Sequence, residues 1–522
     1  MIDEKTTGSY YTPHDLIRFM MAYLKNEKQD FSYVLEPSAG DGRFLSQLLP
    51  EAEKIDAIEL FEEKVENIKK EYNSKKINVE TVNFLDYVTQ CNQKYSVIIG
   101  NPPYVNLKKM DKADVDKARK LCDDEQIGKS VMQNLWLAFV VGSCKLLRES
   151  GTIFFVLPME FLQVVYAEKL RIYLENKFNT IHIISFEEAI FKTIEQDVCL
   201  VYLTNKLDGD SHILYKTYHN TKSEKPISES KIKKNKPLKK WSNAILSDSE
   251  VTMIKEKTDK CIQVSKMGET APGIVTGGNK YFILTKNKVE ELKCERFVLP
   301  IVQKSSFIYE NTIEISDSVI EKIIQKNKPL YLLDLAKTKE EKPKELIDYL
   351  DEAGEELVGD KKLKECYKCS NRNPWYGVPI VKKGDVVFFK RYDALPRIYV
   401  NKADVHTTDT GYHIRLKDEY QADSFVFCFF NSLTLAECEY YGRYYGGGVC
   451  ELVPSEFKSL FIPYQDISQD DIKELNEKFA REESNEEIIE YVNERTICKI
   501  FSPKEVKKFE EIRRKLIKRR ML

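Results

Sequence analysis

Short apolar runs alternate with amphipathic stretches through the first two hundred residues of this chain. Residues 33–36, 55–60, 77–80 and 97–100 are runs of β-forming residues ending in turn formers or acids, and they read as strands. Between them, residues 42–49 and 61–72 carry helical spacing, and Asn83 to Tyr87 form a turn. Further on, the pattern predicts a helix over 134–147, a strand over 151–158, a helix over 167–178 and strands over 181–186 and 198–203. Such alternation predicts an α/β domain over residues 1–215, with a mostly parallel sheet covered by helices on both faces. The pattern then changes. Residues 216–245 are Lys-rich with Pro226 and Pro237 and read as a linker or a phosphate-contacting strip. Residues 246–465 predict a second α/β domain, with Gly-rich turns at Gly277-Gly278 and Gly446-Gly447-Gly448. Residues 466–522 read as a charged helical tail ending in the basic run Arg513 to Arg520.

The chemistry collects at the predicted strand ends. The run Val97-Ile98-Ile99-Gly100 stops at Asn101-Pro102-Pro103-Tyr104, which continues neither a helix nor a central strand. The carboxyl edge of such a sheet is where ligands bind. Asn101 offers a carboxamide oxygen, Pro102 a carbonyl and Tyr104 a flat face. Two acceptors beside a stacking plate suit a planar group carrying an amine, such as adenine. Upstream, Glu36-Pro37-Ser38-Ala39-Gly40-Asp41-Gly42 joins a strand to a helix without the spacing of a dinucleotide fingerprint or a P-loop. Glu36 would repel a pyrophosphate, so the loop favours a ligand with cationic or hydroxyl groups. Glu59 ends the next strand, where a nucleotide site places its ribose-binding acid. Asp86 follows the third and could accept from an exocyclic amine.

This order resembles the gamma class of N6-adenine DNA methyltransferases, in which cofactor motifs precede the catalytic motif and a target-recognition region follows. The resemblance extends to Gly8-Ser9-Tyr10-Tyr11-Thr12-Pro13, to Asn134-Leu135-Trp136-Leu137-Ala138-Phe139, and to Phe191-Lys192-Thr193 before the strand at 198–203. It implies a class I S-adenosylmethionine-dependent methyltransferase fold, Rossmann-like, followed by the recognition domain and helical tail. It implies cofactor contacts from Tyr10, Thr12, Glu36, Ser38, Gly40, Asp41, Glu59, Leu60, Asp86, Tyr87, Asn101 and Phe139. Catalysis would rest on Asn101, Pro102, Pro103 and Tyr104, with Phe191 as a second plate on a base flipped out of the duplex. The implied product is N6-methyladenine in double-stranded DNA, made within a restriction–modification system or by an orphan enzyme. A nuclease partner would act separately, and the enzyme would be a monomer or weak dimer. An RNA or protein-glutamine methyltransferase, or a component of a larger restriction complex, is the alternative.

Charge and composition adjust this only slightly. The chain has 522 residues, too many for one core, and a net charge of −2, so any DNA surface must come from local clusters. Lys280, Lys390, Arg391 and Arg397 lie among aromatic strand residues of the second domain and are the candidate DNA contacts. The 12 cysteines, with no basic and apolar leader, favour a reducing cytoplasm. No run is long and apolar enough for a membrane span. A lone Cys366-x-x-Cys369 and 6 scattered histidines give no metal set, and no metal is expected.

Overall fold

A computed structural model describes residues 11–188, 190–191, 198–206, 210–234, 237–238, 240–256, 259–445 and 448–521. The chain divides into two compact units, one of residues 1–251 with 445–447 and 521–522, the other of 252–444 with 448–520.

The first unit is built on a nine-stranded sheet. Its strands are β1 (Tyr33–Glu36), β2 (Lys54–Glu59), β3 (Ile77–Thr81), β4 (Tyr95–Gly100), β5 (Leu147–Pro158), β6 (Thr180–Phe186), β7 (Val198–Thr204), β8 (His212–Tyr218) and β9 (Ser228–Lys233). They lie in the order β3-β2-β1-β4-β5-β7-β6-β8-β9. Strands β1 to β6 and β8 run parallel, whereas β7 and β9 run antiparallel to their neighbours. The helices are α1 (His14–Asn26), α2 (Arg43–Leu48), α3 (Glu62–Glu71), α4 (Phe84–Gln90), α5 (Lys112–Asp124), α6 (Leu135–Leu146) and α7 (Glu168–Lys177). Every residue of β4 is buried, which explains its unbroken apolar run. Val34 pairs with Val97 and Leu35 with Ile98, so β1 and β4 end side by side. Between β1 and α2 the backbone turns through Gly40 (φ 59°) and Gly42 (φ 80°), in the left-handed region that glycine adopts without strain.

Residues 216–245 are not a linker. They complete β8 and supply the edge strand β9, and Trp241, fully buried, donates from Nε1 to Glu175 Oε1 on α7 at 2.6 Å. The lysines hid this. On β9, Lys231 and Lys233 are exposed on either side of buried Ile232, the usual protection of a sheet edge.

The second unit contains a four-stranded antiparallel sheet of β10 (Gly268–Pro272), β11 (Val386–Phe389), β12 (Arg397–Val400) and β13 (Gly411–Leu416), ordered β10-β13-β11-β12. A smaller mixed sheet joins Ile283–Leu284, Tyr331–Leu333, Val298–Val302 and His406–Thr407. Helices α8 (Ala422–Phe429), α9 (Ser432–Tyr441), α10 (Gln469–Ala480) and α11 (Asn485–Arg495) share one core with the first sheet, in which Val386, Phe388 and Ile414 meet Phe425, Leu435, Leu475 and Val492. The expected tail from residue 466 is therefore part of this core. The last helix, α12 (Pro503–Met521), buries Arg513, Arg519 and Arg520. Arg520 Nε meets Glu439 Oε2 on α9 at 2.8 Å, and Arg519 Nη2 donates to the Glu439 carbonyl at 3.0 Å. These cations hold the fold together. Of the expected Gly446-Gly447-Gly448 turn, Gly446 and Gly447 lie outside the described residues. No described helix is long and apolar enough to cross a membrane.

Candidate active site

The carboxyl ends of β1, β2 and β4 open onto a cavity of about 300 Å³. Glu59, at the end of β2, is buried and fixed by three backbone N–H groups. Gly40 N donates to Oε2 at 2.8 Å, while Leu60 N and Phe61 N donate to Oε1 at 3.0 and 3.1 Å. This carboxylate is oriented before any ligand arrives. Glu36, at the end of β1, is 1% exposed, and its Oε2 has no hydrogen-bond partner among the described residues. Burial, with Asp41 and Glu59 nearby, pushes the Glu36 carboxyl well above the usual carboxylate range. Ser38 Oγ donates to the Asn101 carbonyl at 3.1 Å and so ties the glycine loop to the loop after β4.

Asn101 and Pro103 line the cavity, and Pro102 is buried. The Asn101 carboxamide oxygen is shielded from solvent. The Tyr104 hydroxyl donates to the Val156 carbonyl of β5 at 3.1 Å, and burial raises its pKa well above that of a free tyrosine. That bond holds the ring against one strand while the motif leaves another.

Ser38, Gly40, Glu59, Leu60, Asn101 and Phe139 all line the cavity. Asp86 and Tyr87 do not. Asn83 caps α4 by accepting from Leu85 N at 2.9 Å, and this sets the helix phase. Asn83, Phe84 and Leu85 then face the cavity. Asp86 instead pairs with Lys117 at 2.7 Å. Tyr87 is buried in a hydrogen-bonded group with Tyr95 and Asp56. Asp41 and Thr12 are also outside the lining. Arg43 joins them, bonding Asp41 Oδ2 at 2.6 Å and the Thr12 carbonyl at 3.3 Å. Phe191 is half-buried against the apolar core that holds Leu16 and Phe186 and, like Tyr104, is not among the residues lining this cavity. Tyr10 and Thr193 lie outside the described residues.

Tyr11, Phe84 and Asp114 are among the lining residues absent from the expected set. Tyr11 lies over Gly40, with Arg43 4.9 Å from its ring centroid. Phe84 stacks on Phe139 with centroids 4.5 Å apart and planes at 23°. Asp114 approaches from α5, thirty-one positions beyond the amide that bonds it, Asn83. The Asn83 cap carries a signal in the sequence, since an Asx before Phe-Leu is a helix start. Asp114 carries none.

The candidate DNA contacts divide. Lys280 pairs with Glu356 at 3.3 Å and Arg391 with Glu451 at 2.7 Å. Arg397 is exposed at the start of β12, opposite Phe389, and Lys390 is half-buried just after β11. Lys390, Arg391 and Arg397 thus share one end of a strand pair. Among the described residues no group of three or more His, Cys, Asp or Glu could hold a metal ion.

Taken together, the cavity offers a fixed carboxylate for hydroxyls and an apolar aromatic wall for a planar ring, while Glu36 lies outside the lining as a buried carboxyl just before Pro37 and Ser38. Residues 23–191 match the family described as Eco57I restriction-modification methylase. Residues 238–497 match that described as Type II methyltransferase M.Eco57I, C-terminal domain. Type II methyltransferase M.AccI of Acinetobacter calcoaceticus is 24% identical over 488 residues, 87% of this chain and 84% of the relative. Type II methyltransferase M.VspI of Vibrio sp. (strain 343) is 28% identical over 287 residues, 53% of this chain and 66% of the relative. Among solved structures, the Type IIL restriction-modification enzyme MmeI in complex with DNA shares the fold, with a TM-score of 0.56, 13% identity and coverage of 98% of this chain and 75% of that one.

Proposed function

Because this chain belongs to the Eco57I family of restriction–modification DNA methyltransferases, we propose that it methylates N6 of an adenine flipped out of double-stranded DNA. The observation that carries the reading is that Ser38, Gly40, Glu59, Asn101 and Pro103 line one cavity at adjacent strand ends, with Glu36 buried at the end of β1 immediately before the lining residues Pro37 and Ser38.

The residues present fit S-adenosylmethionine. Glu36 is an orphaned buried acid that a cationic ligand would satisfy. Glu59 would take the ribose hydroxyls, and Phe139 and Phe84 would flank the adenine. Bound there, the cofactor supplies an electrophilic methyl group on a sulfonium. The remaining work belongs to this chain. Adenine N6 is a weak nucleophile because its lone pair is delocalised into the ring. The Asn101 carboxamide oxygen and the Pro102 carbonyl accept from the two N6 protons, which localises the lone pair on nitrogen. Tyr104 stacks on the extruded base, an interaction worth about 1–3 kcal/mol. Catalysis then rests on positioning and electrostatics rather than on a strong base.

The second unit would recognise the DNA, with Lys390 and Arg397 as its contacts, Lys280 and Arg391 being already paired. A separately acting endonuclease would be the enzyme's counterpart. The test is transfer of labelled methyl groups to unmethylated genomic DNA, total RNA and a protein extract in parallel. Label in DNA alone is expected; label in RNA or protein, with DNA blank, contradicts the reading.

A further inference from the structure

The cavity is closed on one side by a segment that the strand-end motifs do not include. After the Asn101-Pro-Pro-Tyr104 turn, Val105, Lys109, Met110, Asp111 and Asp114 all line it. Asp114 lies in the first turn of α5 and is fixed from two sides. Asn83 Nδ2 donates to its Oδ2 at 3.1 Å, and Lys117 Nζ stands 3.4 Å from its Oδ1. Asn83 cannot turn its amide over, since its own Oδ1 already accepts from Leu85 N at 2.9 Å. An ionised carboxylate has about four acceptor positions. Two are used, and the side chain keeps 29% of its exposure beside the cavity.

The surroundings set what those free positions would take. Phe84 and Phe139 stack here, and Leu85 and Leu135 line the same cavity. Glu59, held by Gly40, Leu60 and Phe61, occupies the neighbouring strand end. A ring seated on the aromatic wall, with its sugar at Glu59, thus has an anionic acceptor within the lining. Resting on the methyltransferase reading above, we infer that Asp114 is a specificity-determining residue. Its carboxylate accepts from the exocyclic amine of the cofactor's adenine, so the cavity takes an adenosyl ligand and rejects one with oxygen at that position. An oxo group there would set acceptor against acceptor and leave the carboxylate without a donor.

The test is calorimetric binding of S-adenosylhomocysteine and of its deaminated counterpart, S-inosylhomocysteine. It uses the full-length wild type, Asp114→Asn and Asp114→Ser, with thermal unfolding of each variant to confirm the fold. The wild type should prefer the adenosyl ligand by about 10- to 100-fold, the scale of one hydrogen bond to a charged group. Asp114→Asn, which can donate to the oxo group, should lose or reverse that preference, and Asp114→Ser should lose it. A wild type that binds both ligands equally, or variants that keep the wild-type preference, would overturn the inference alone. A wild type that binds neither contradicts the methyltransferase reading, and the inference falls with it.

Discussion

Two side chains decide most of what this site can do, and each makes a measurable claim. Tyr104 is fixed through its hydroxyl to the Val156 carbonyl at 3.1 Å, so in the proposed reaction the hydroxyl would position a ring whose face stacks on the base. Tyr104→Phe should keep most turnover with KM for DNA raised only a few-fold. Tyr104→Ala should lose the stacking and raise KM about tenfold or more, as ~1–3 kcal/mol implies. Steady-state kinetics that show equal losses would remove the stacking role. Glu36 makes the second claim. Its carboxyl is raised in the fold by burial and by Asp41 and Glu59. For an acid raised in this way, stability is lost as pH climbs from the unfolded value through the folded one. A bound cation reverses that loss. The thermal stabilisation given by S-adenosylmethionine should therefore grow with pH across that window, and Glu36→Gln should flatten the dependence. Thermal shift measured with and without the cofactor across pH checks it. Both residues were legible in the sequence because each ends an apolar run, where the chain leaves the sheet. Asp114 was not, because its partner Asn83 lies thirty-one positions away and only the fold brings them together.

At the scale of elements, legibility followed periodicity. The alternation of apolar runs identified strands β1 to β7 and helices α2, α3, α6 and α7, since burial on both faces demands continuous apolar residues. It missed the parallel strand β8 and helix α5 and read the start of α4 as a turn. It failed where a surface element is mostly charged. Strand β9 shows one buried Ile232 among exposed lysines, and its sequence looks the same as a solvated linker. Helix phase was the other failure. A single cap at Asn83 turned Phe84 into the cavity and Asp86 out to Lys117, and one residue of uncertainty in a helix start is enough to exchange such neighbours. The contact that integrates 216–245 with the sheet yields a prediction of its own. Glu175 accepts from Trp241 Nε1 at 2.6 Å and from Leu238 N at 3.1 Å. Glu175→Ala leaves both donors unsatisfied and should destabilise the first unit by about 2–4 kcal/mol, read as a lower midpoint in urea. An unchanged midpoint would mean that this segment does not contribute to the unit.

For the whole molecule, composition was a poor guide to where charge acts. The basic end of the chain reads as a charged helical tail, yet Arg513, Arg519 and Arg520 are 4%, 2% and 3% exposed. Arg520 and Glu439 form a buried pair at 2.8 Å, and removing one partner of such a pair typically costs about 3–5 kcal/mol. Arg520→Ala should lower the denaturation midpoint of the second unit by that order. An Arg520→Ala protein as stable as wild type, with weakened DNA binding, would instead make α12 a DNA contact. The central claim concerns one atom of one base, so the most direct measurement identifies that base. DNA treated with enzyme and S-adenosylmethionine would be digested to nucleosides and separated by mass spectrometry, using wild type and Asn101→Ala. The account predicts N6-methyladenine from the wild type, with Asn101→Ala slower by about 100- to 1,000-fold, the cost of removing one preorganised polar group, while still binding cofactor. Methylated cytosine, or undiminished N6-methyladenine from Asn101→Ala, would contradict it.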